Sequence, residues 1–376
     1  MSTTSTDGLQ VVRTPEVAQG DSPETAAENF SERLFASGLA ALEMATIDLG
    51  RQLDLYSPLR AQALTAPELA ARRQIAPRYA REWLEQQAAA GILACEDRRA
   101  EPDRRRFTLP EAQARCLLDA EDPFFLAAFA SFPSICTQAL PSLVEAFRGG
   151  AGVPYAQYGL HDAQGEQNRP VFVHELEGWL QAVPGLTERL RRPGAHLADV
   201  GCGVGWAALR LAELFPDAKV DGFDADPESV RAARRHAEVK GVAQRVHVAE
   251  ADITRPDFDA GPYDLVLAVE MVHDLAAPVE ALAAMGRMAG PDGTVLVVDE
   301  AVAEEFTAPA DEFERMFYAF SVLHCLPVGM TEPGSEATGT VMRPATLRAY
   351  AVRAGFSRVD DVDLGNDFFR GYRLVD

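Results

Sequence analysis

A chain of 376 residues that is 47% apolar and 24% charged has room for two domains and an ordinary globular composition, which excludes a disordered chain. Its 57 acidic against 35 basic residues give a formal charge of −22, the wrong sign for a general nucleic-acid binder, because phosphate contacts need a basic footprint. Met1–Asp7 lacks the basic flank and apolar run of a secretory signal, and the apolar-rich stretch Pro123–Ile135 is far shorter than the ~18 to 20 residues that span a bilayer. Five scattered cysteines imply neither a disulfide framework nor a CxxC metal site. The sequence therefore predicts a cytoplasmic protein with no membrane and no nucleic-acid partner.

Residues 1–25 are rich in Ser, Thr and Asp without apolar periodicity and read as a disordered tail. From Phe30 to Leu55 the residues Leu34, Phe35, Leu39, Leu42, Ile47 and Leu49 recur at helical spacing. Thr65 can cap the next helix, with Pro67 in its first turn and Glu68 at the third position. Pro77 opens a third helix, Arg78–Ala90, with Tyr79, Trp83 and Leu84 on one face and Gly91 as its stop. Ile92–Ala94 and Phe107–Leu109 then read as a hairpin, so residues 26–116 form a winged helix. Such a module binds DNA or serves as a dimerisation platform. Between Arg51 and Arg115 there are 12 Arg and 9 acids, a net charge of only +3, which favours dimerisation.

Residues 117–190 form a helical linker and cap with paired aromatics, Phe124, Phe125, Phe129 and Phe132, and a Gly-rich break at Gly149–Pro154. The cap ends in a loop bearing Tyr155, Tyr158 and Asn168–Pro170, and it reads either as core or as a lid over a site. From His196 the pattern alternates. Strands are expected at His196–Gly201, Lys219–Asp224, Val246–Ala251, Tyr263–Glu270 and Gly293–Asp299, mostly separated by helices. This is an α/β pattern, a parallel sheet with helices on both faces, over residues 191–376. An insertion at 300–342 precedes a helix, Pro344–Ala354, and two strands, Ser357–Leu364 and Phe369–Val375.

Asp199-Val-Gly-Cys-Gly-Val-Gly205 sits where the first of these strands turns into its helix, and Gly201, Gly203 and Gly205 allow a tight turn and close approach of a ligand. Trp206 stands where a dinucleotide fingerprint would have its third glycine, which argues against a pyrophosphate site. Asp224 ends the second strand, where a carboxylate can accept bonds from two ribose hydroxyls, and Asp252 ends the third, where one can accept a bond from an adenine amino group. A Gly loop and two acids on consecutive strand ends mark the edge where open α/β sheets bind ligands.

With these motifs, and with Tyr263-Asp-Leu-Val-Leu267 and Pro291-Asp-Gly-Thr-Val295, residues 195–376 resemble the class I S-adenosylmethionine-dependent methyltransferases. Together with the winged helix, the whole chain resembles small-molecule O-methyltransferases of the plant and bacterial polyketide type and bacterial winged-helix methyltransferases. The resemblance implies a Rossmann-like seven-stranded sheet whose last, antiparallel strand is Phe369–Val375, and a homodimer made through the winged helix. It implies S-adenosylmethionine as cofactor and no metal. Asp199, Gly201, Gly203 and Gly205 would lie against its methionine part, Asp224 with Ala225 at its ribose and Asp252 with Ile253 at its adenine, with Glu270 completing the set.

The resemblance also marks His273, in Glu270-Met-Val-His-Asp274, as the group that takes the acceptor's proton, with Asp299 as the acid that orients its ring. Two positions depart from the family: its second acid falls on Val341, and its Trp after the His-Asp pair is Leu275. His273 is thus either a base or a structural residue. In the insertion, Phe313, Met316, Phe317 and Phe320 share one helix face, either core or the wall of an acceptor pocket, and His324 and Cys325 read as packing. The expected function is methyl transfer to a small aromatic or polyketide-like acceptor at oxygen. The rivals are a cofactor-sensing winged-helix regulator and an enzyme of this fold with another reaction.

Overall fold

The computed structural model describes residues 22–375. The tail expected over 1–25 lies outside the described residues up to Asp21. From Pro23 onward the chain is helical, capped by Ser22, whose Oγ accepts from the Thr25 N–H at 3.2 Å. The chain forms two compact units that divide between Ala114 and Arg115.

The first unit opens with a helix of 30 residues, Pro23–Gln52. The later part of this helix is tied to its unit by Trp83 Nε1, which donates to the Thr46 carbonyl at 3.0 Å, and by Gln87, which donates to Thr46 Oγ1 at 3.1 Å and accepts from the Tyr56 hydroxyl at 2.6 Å. Its earlier part leaves Phe30, Leu34, Leu39 and Leu42 exposed, with Phe35 75% exposed. Thr65 and Glu68 form the expected reciprocal cap of the helix Ala66–Arg73. The helix Pro77–Ala89 buries Ala80, Trp83, Leu84 and Gln87. Tyr79, expected on that face, is exposed, because the true stripe at spacings of three and four starts one residue later. The hairpin consists of β1 (Ala94–Cys95) and β2 (Phe107–Thr108), and a bridge between Leu64 and Phe107 adds a third strand position. Several arginines of this unit are paired within it: Arg60 with Glu111 at 2.7 Å, Arg105 with Glu85 at 2.5 Å, Arg106 with Glu68 at 3.3 Å and Arg81 with Asp103 at 3.4 Å.

The second unit is built on seven strands: β3 (His196–Val200), β4 (Lys219–Asp224), β5 (Val246–Glu250), β6 (Leu265–Val269), β7 (Thr294–Glu300), β8 (Arg358–Val362) and β9 (Phe369–Val375). Their order across the sheet is β5-β4-β3-β6-β7-β9-β8, and β9 pairs antiparallel with both neighbours while the other pairs are parallel. Strands covered on both faces need no polar side, and β6 accordingly reads Leu-Val-Leu-Ala-Val without a break. Helices cover both faces. Trp179, Leu180, Leu209 and Leu211 belong to the core on one side, and Leu282, Met285, Leu347 and Tyr350 to the core on the other. From β3 the chain winds outward through β4 to β5, then returns to lay β6 on the other side of β3, so the carboxyl ends of β3 and β6 flank the topological switch point.

The segment expected as a separate linker and cap belongs to this second unit, since Leu176, Leu186 and Leu190 join its core. Asn168–Pro170, expected in a loop, lie inside the helix His161–His174. Proline removes one backbone donor there, but burial of Pro170 and Phe172 keeps the helix running through it. In the insertion, the helix Glu312–Phe320 continues through a π turn, Ser321–Cys325, into Leu326–Gly329. Of its expected apolar face Phe317 is buried but Phe313 is 41% exposed. Buried Glu314, held by Arg343 at 2.7 Å, turns inward instead. Among the described residues no single helix is long and apolar enough to cross a membrane.

Candidate functional site

A cavity of about 490 Å³ opens at the carboxyl ends of the central strands, lined from below by Gly201–Val204 after β3, Asp224–Pro227 after β4, Ala251–Thr254 after β5 and Val269–Met271 after β6. Gly201 has φ +66°, and a Cβ there would sit 2.8 Å from the Met271 side chain, so only glycine lets the loop pass so close to the end of β6. Asp224 fixes this loop: its Oδ2 accepts from the Gly203 N–H and its Oδ1 from the Asp226 N–H, both at 2.8 Å. Each oxygen keeps a second lone pair for a ligand hydroxyl. Burial holds the carboxyl above its usual range. Asp252 is exposed in the wall, its Oδ1 accepting from the N–H of Thr254 at 2.9 Å and from its hydroxyl at 2.6 Å, while Ile253 beside it is buried.

Gly201, Gly203, Asp224, Ala225, Asp252, Ile253 and Glu270 are thus brought together around one cavity. Asp199 and Gly205 are not part of its wall. Asp199 is 2% exposed, burial raises its carboxyl to about 7 with the Asp224 charge adding to the effect, and its Oδ2 has no hydrogen-bond partner among the described residues. Gly205 serves the turn into the helix Trp206–Leu214 from a left-handed conformation.

Glu270 takes φ +49°, a backbone conformation rare for a residue with a side chain, while its N–H donates to the Val298 carbonyl at 2.9 Å. Asn168 donates from the helix above to Glu270 Oε2. Burial, with Asp299 and Asp274 outweighed only in part by His273, brings the Glu270 carboxyl up to about 7.

The roof is the helix His161–His174, which supplies His161, Gln164, Gly165, Asn168 and Phe172, with Tyr155 just before it. A Cβ on Gly165 would lie 2.1 Å from Val204 Cγ2, so this helix rests directly on the glycine loop. At the rim the Arg169 guanidinium stacks on Trp206 at 4.1 Å and pairs with Glu121, which Lys240 also meets at 3.3 Å. Trp206 in turn stacks on His236 at 4.5 Å. Of the two sequence readings of this segment, core or lid, the lining supports the lid, while the contact of Asn168 with Glu270, 102 positions away, left no trace in the sequence.

His273 is 2% exposed and does not line the cavity; of the His-Asp pair only Asp274 does. Its Nδ1 lies 2.7 Å from Asp299 Oδ1 and 3.2 Å from Glu300 Oε2, and its Nε2 lies 3.3 Å from Asp274 Oδ1. Burial disfavours the imidazolium, but the carboxylates of Asp299, Glu300 and Asp274 outweigh it and hold the proton affinity well above that of an ordinary histidine. Glu300 thus brings a second acid to the ring, its carboxyl held well above its usual range by burial. His273 with Asp274 and Cys325, and His273 with Asp299 and Glu300, each bring possible metal-ligand atoms within 4.8 Å of one another, groupings that sequence separation concealed. His324 packs against the Tyr158 ring at 4.6 Å.

Residues 197–293 match a family model described as a methyltransferase domain. Among curated proteins, the chain is 31% identical over 157 residues to release factor glutamine methyltransferase of Chlorobaculum tepidum, covering 40% of this chain and 52% of that one. It is 31% identical over 173 residues to acetylserotonin O-methyltransferase of Mus musculus, covering 44% of this chain and 40% of that one. The chain thus spans about half the length, or less, of these two relatives. Among solved structures, human N-acetylserotonin methyltransferase in complex with S-adenosylmethionine superposes with a TM-score of 0.68 at 16% identity, over 96% of this chain and 99% of that one, a likeness of fold.

Proposed function

We propose that the protein, whose residues 197–293 match a methyltransferase domain, transfers a methyl group from S-adenosylmethionine to the oxygen of a small, aromatic or polyketide-like acceptor. The observation that carries this reading is the glycine loop, Asp224 and Asp252 on three successive strand ends around one cavity. The residues fit the cofactor: the glycine loop passes close to Met271 with no side chain in the way, and Asp224, which lines the cavity, keeps lone pairs free for a ribose. When bound, S-adenosylmethionine supplies an electrophilic methyl carbon on a sulfonium.

The chain's residues do the rest. Asp224 takes the ribose hydroxyls with its remaining lone pairs, and Asp252 with Ile253 receives the adenine. The roof helix excludes water and holds the acceptor in line, and alignment supplies most of what such a displacement needs. The acceptor proton leaves toward Asp274 and the His273 behind it, with Asp299 fixing the ring. The exposed apolar stripe from Phe30 to Leu42 supports a homodimer made through the first unit. The internal pairing of Arg60, Arg81, Arg105 and Arg106 weakens the regulator reading, because a paired guanidinium offers less to a phosphate.

Calorimetry with S-adenosylmethionine and S-adenosylhomocysteine tests the cofactor. The wild type binds both, and Asp224→Ala weakens both by about ten-fold or more, the cost of losing charged hydrogen bonds. A wild type that binds neither overturns the reading. A screen of small phenols and polyketides for a methyl mass shift identifies the acceptor.

A further inference from the structure

We propose that Glu270 is the residue by which this site distinguishes the sulfonium-bearing cofactor from its uncharged thioether product. The inference rests on the cofactor reading above and adds a role to one of its residues. If Asp252 and Asp224 receive adenine and ribose, the cofactor runs inward along β5 and β4, and what lies beyond the ribose falls over the switch point between β3 and β6. Glu270 stands at that point, one residue past β6, beside Met271, which packs against Gly201 of the loop.

Two features set this carboxylate apart from Asp224 and Asp252. Asp224 and Asp252 each accept backbone N–H groups of their own turns, whereas the side-chain donor to Glu270 comes from the roof through Asn168. Like them it pairs with no Lys or Arg among the described residues, and the positive group that acts on it, His273, does not line the cavity. Its backbone holds a left-handed conformation that nothing in the strand requires, the kind of local strain that persists where a side chain must be aimed. The buried carboxyl sits at about 7, so a permanent cation beside it would hold it ionised. A sulfonium is such a cation, and the thioether left after methyl transfer is not.

Calorimetry on the full chain, wild type against Glu270→Gln, with S-adenosylmethionine, S-adenosylhomocysteine and sinefungin, tests this, because sinefungin carries an amine in place of the sulfonium. Glu270→Gln is expected to lose about ten-fold or more in affinity for the two ligands charged at that position, and less than about three-fold for S-adenosylhomocysteine. Equal losses for all three would assign Glu270 to the α-amino group they share and overturn the proposal. Unchanged affinities would overturn it as well. A wild type that binds none of the three removes the cofactor reading itself, a different result from either. Retained product binding certifies the fold of the variant, and Glu270→Ala carries the same comparison if Glu270→Gln does not fold.

Discussion

His273 Nδ1 lies 2.7 Å from Asp299 Oδ1 inside a shell that leaves the imidazole almost no exposure, and two more carboxylates face the same ring. A histidine so placed is a structural cation before it is a base. His273→Ala should therefore leave the Asp299 carboxylate buried without its counter-charge and cost about 3 to 5 kcal/mol, read as a melting temperature lower by about 10 °C. If the wild-type ring also accepts the acceptor proton, turnover rises with pH through an apparent pKa above the usual 6.5 of histidine, because the carboxylates raise it. A limb at the ordinary histidine pKa would show that the neighbouring acids do not outweigh burial at this ring.

The stability of the cofactor-free protein should fall as pH rises from about 5.5 to about 8. Asp199 and Glu270 both stand near 7 in the folded state, against the 3.8 and 4.5 of ordinary aspartate and glutamate side chains. Between those limits the folded chain holds protons that the unfolded chain has released, so each step up in pH favours unfolding. His273 adds to the same trend above its unfolded value, because its folded pKa is raised. His324, whose pKa burial lowers, acts in the opposite direction below 6.5, so the decline is steepest above that pH. Melting curves across this range check the sign, and S-adenosylmethionine should flatten the slope.

Phe35 and Leu42 lie on the open face of the first helix. Light scattering of the full chain at micromolar concentration should report a dimer, and Phe35→Asp with Leu42→Asp a folded monomer. A monomeric wild type would refute the homodimer.

Gly165→Ala would place a methyl group 2.1 Å from Val204 Cγ2. The roof helix must lift, at about 1 to 3 kcal/mol for an overpacked contact, and cofactor affinity should fall by about ten-fold with the sheet intact. Calorimetry beside circular dichroism separates the two effects.

Where the chain punctuates itself, its elements were legible as sequence. Pro344–Ala354, opened by proline and closed by Gly355, and Phe369–Val375 appear at the expected residues. The strand-end acids were legible too, because a parallel sheet brings successive strand ends to one edge whatever lies between them. A lid was one of two readings of the cap, but its helix was not legible, because Pro170 carries the local signal of a break while its burial with Phe172 keeps the helix continuous. Nor was the company of His273. Glu300 and Cys325 reach it through the end of β7 and a π turn, and spacing along the chain carries no trace of either.

Arg169 holds the rim of the roof through a pairing with Glu121 and a stack on Trp206, both partly open to water. Exposed pairs of this kind add little to stability and are screened by salt. Their influence therefore falls on timing. Dissolved ions compete for the same charges, so the roof should open more often as ionic strength rises, and the residence time of whatever lies beneath it should shorten, while the sheet below keeps its shape. The chain's formal charge of −22 sharpens the point: cations from the medium gather around so acidic a protein, and the speed of this gate is set in good part by them.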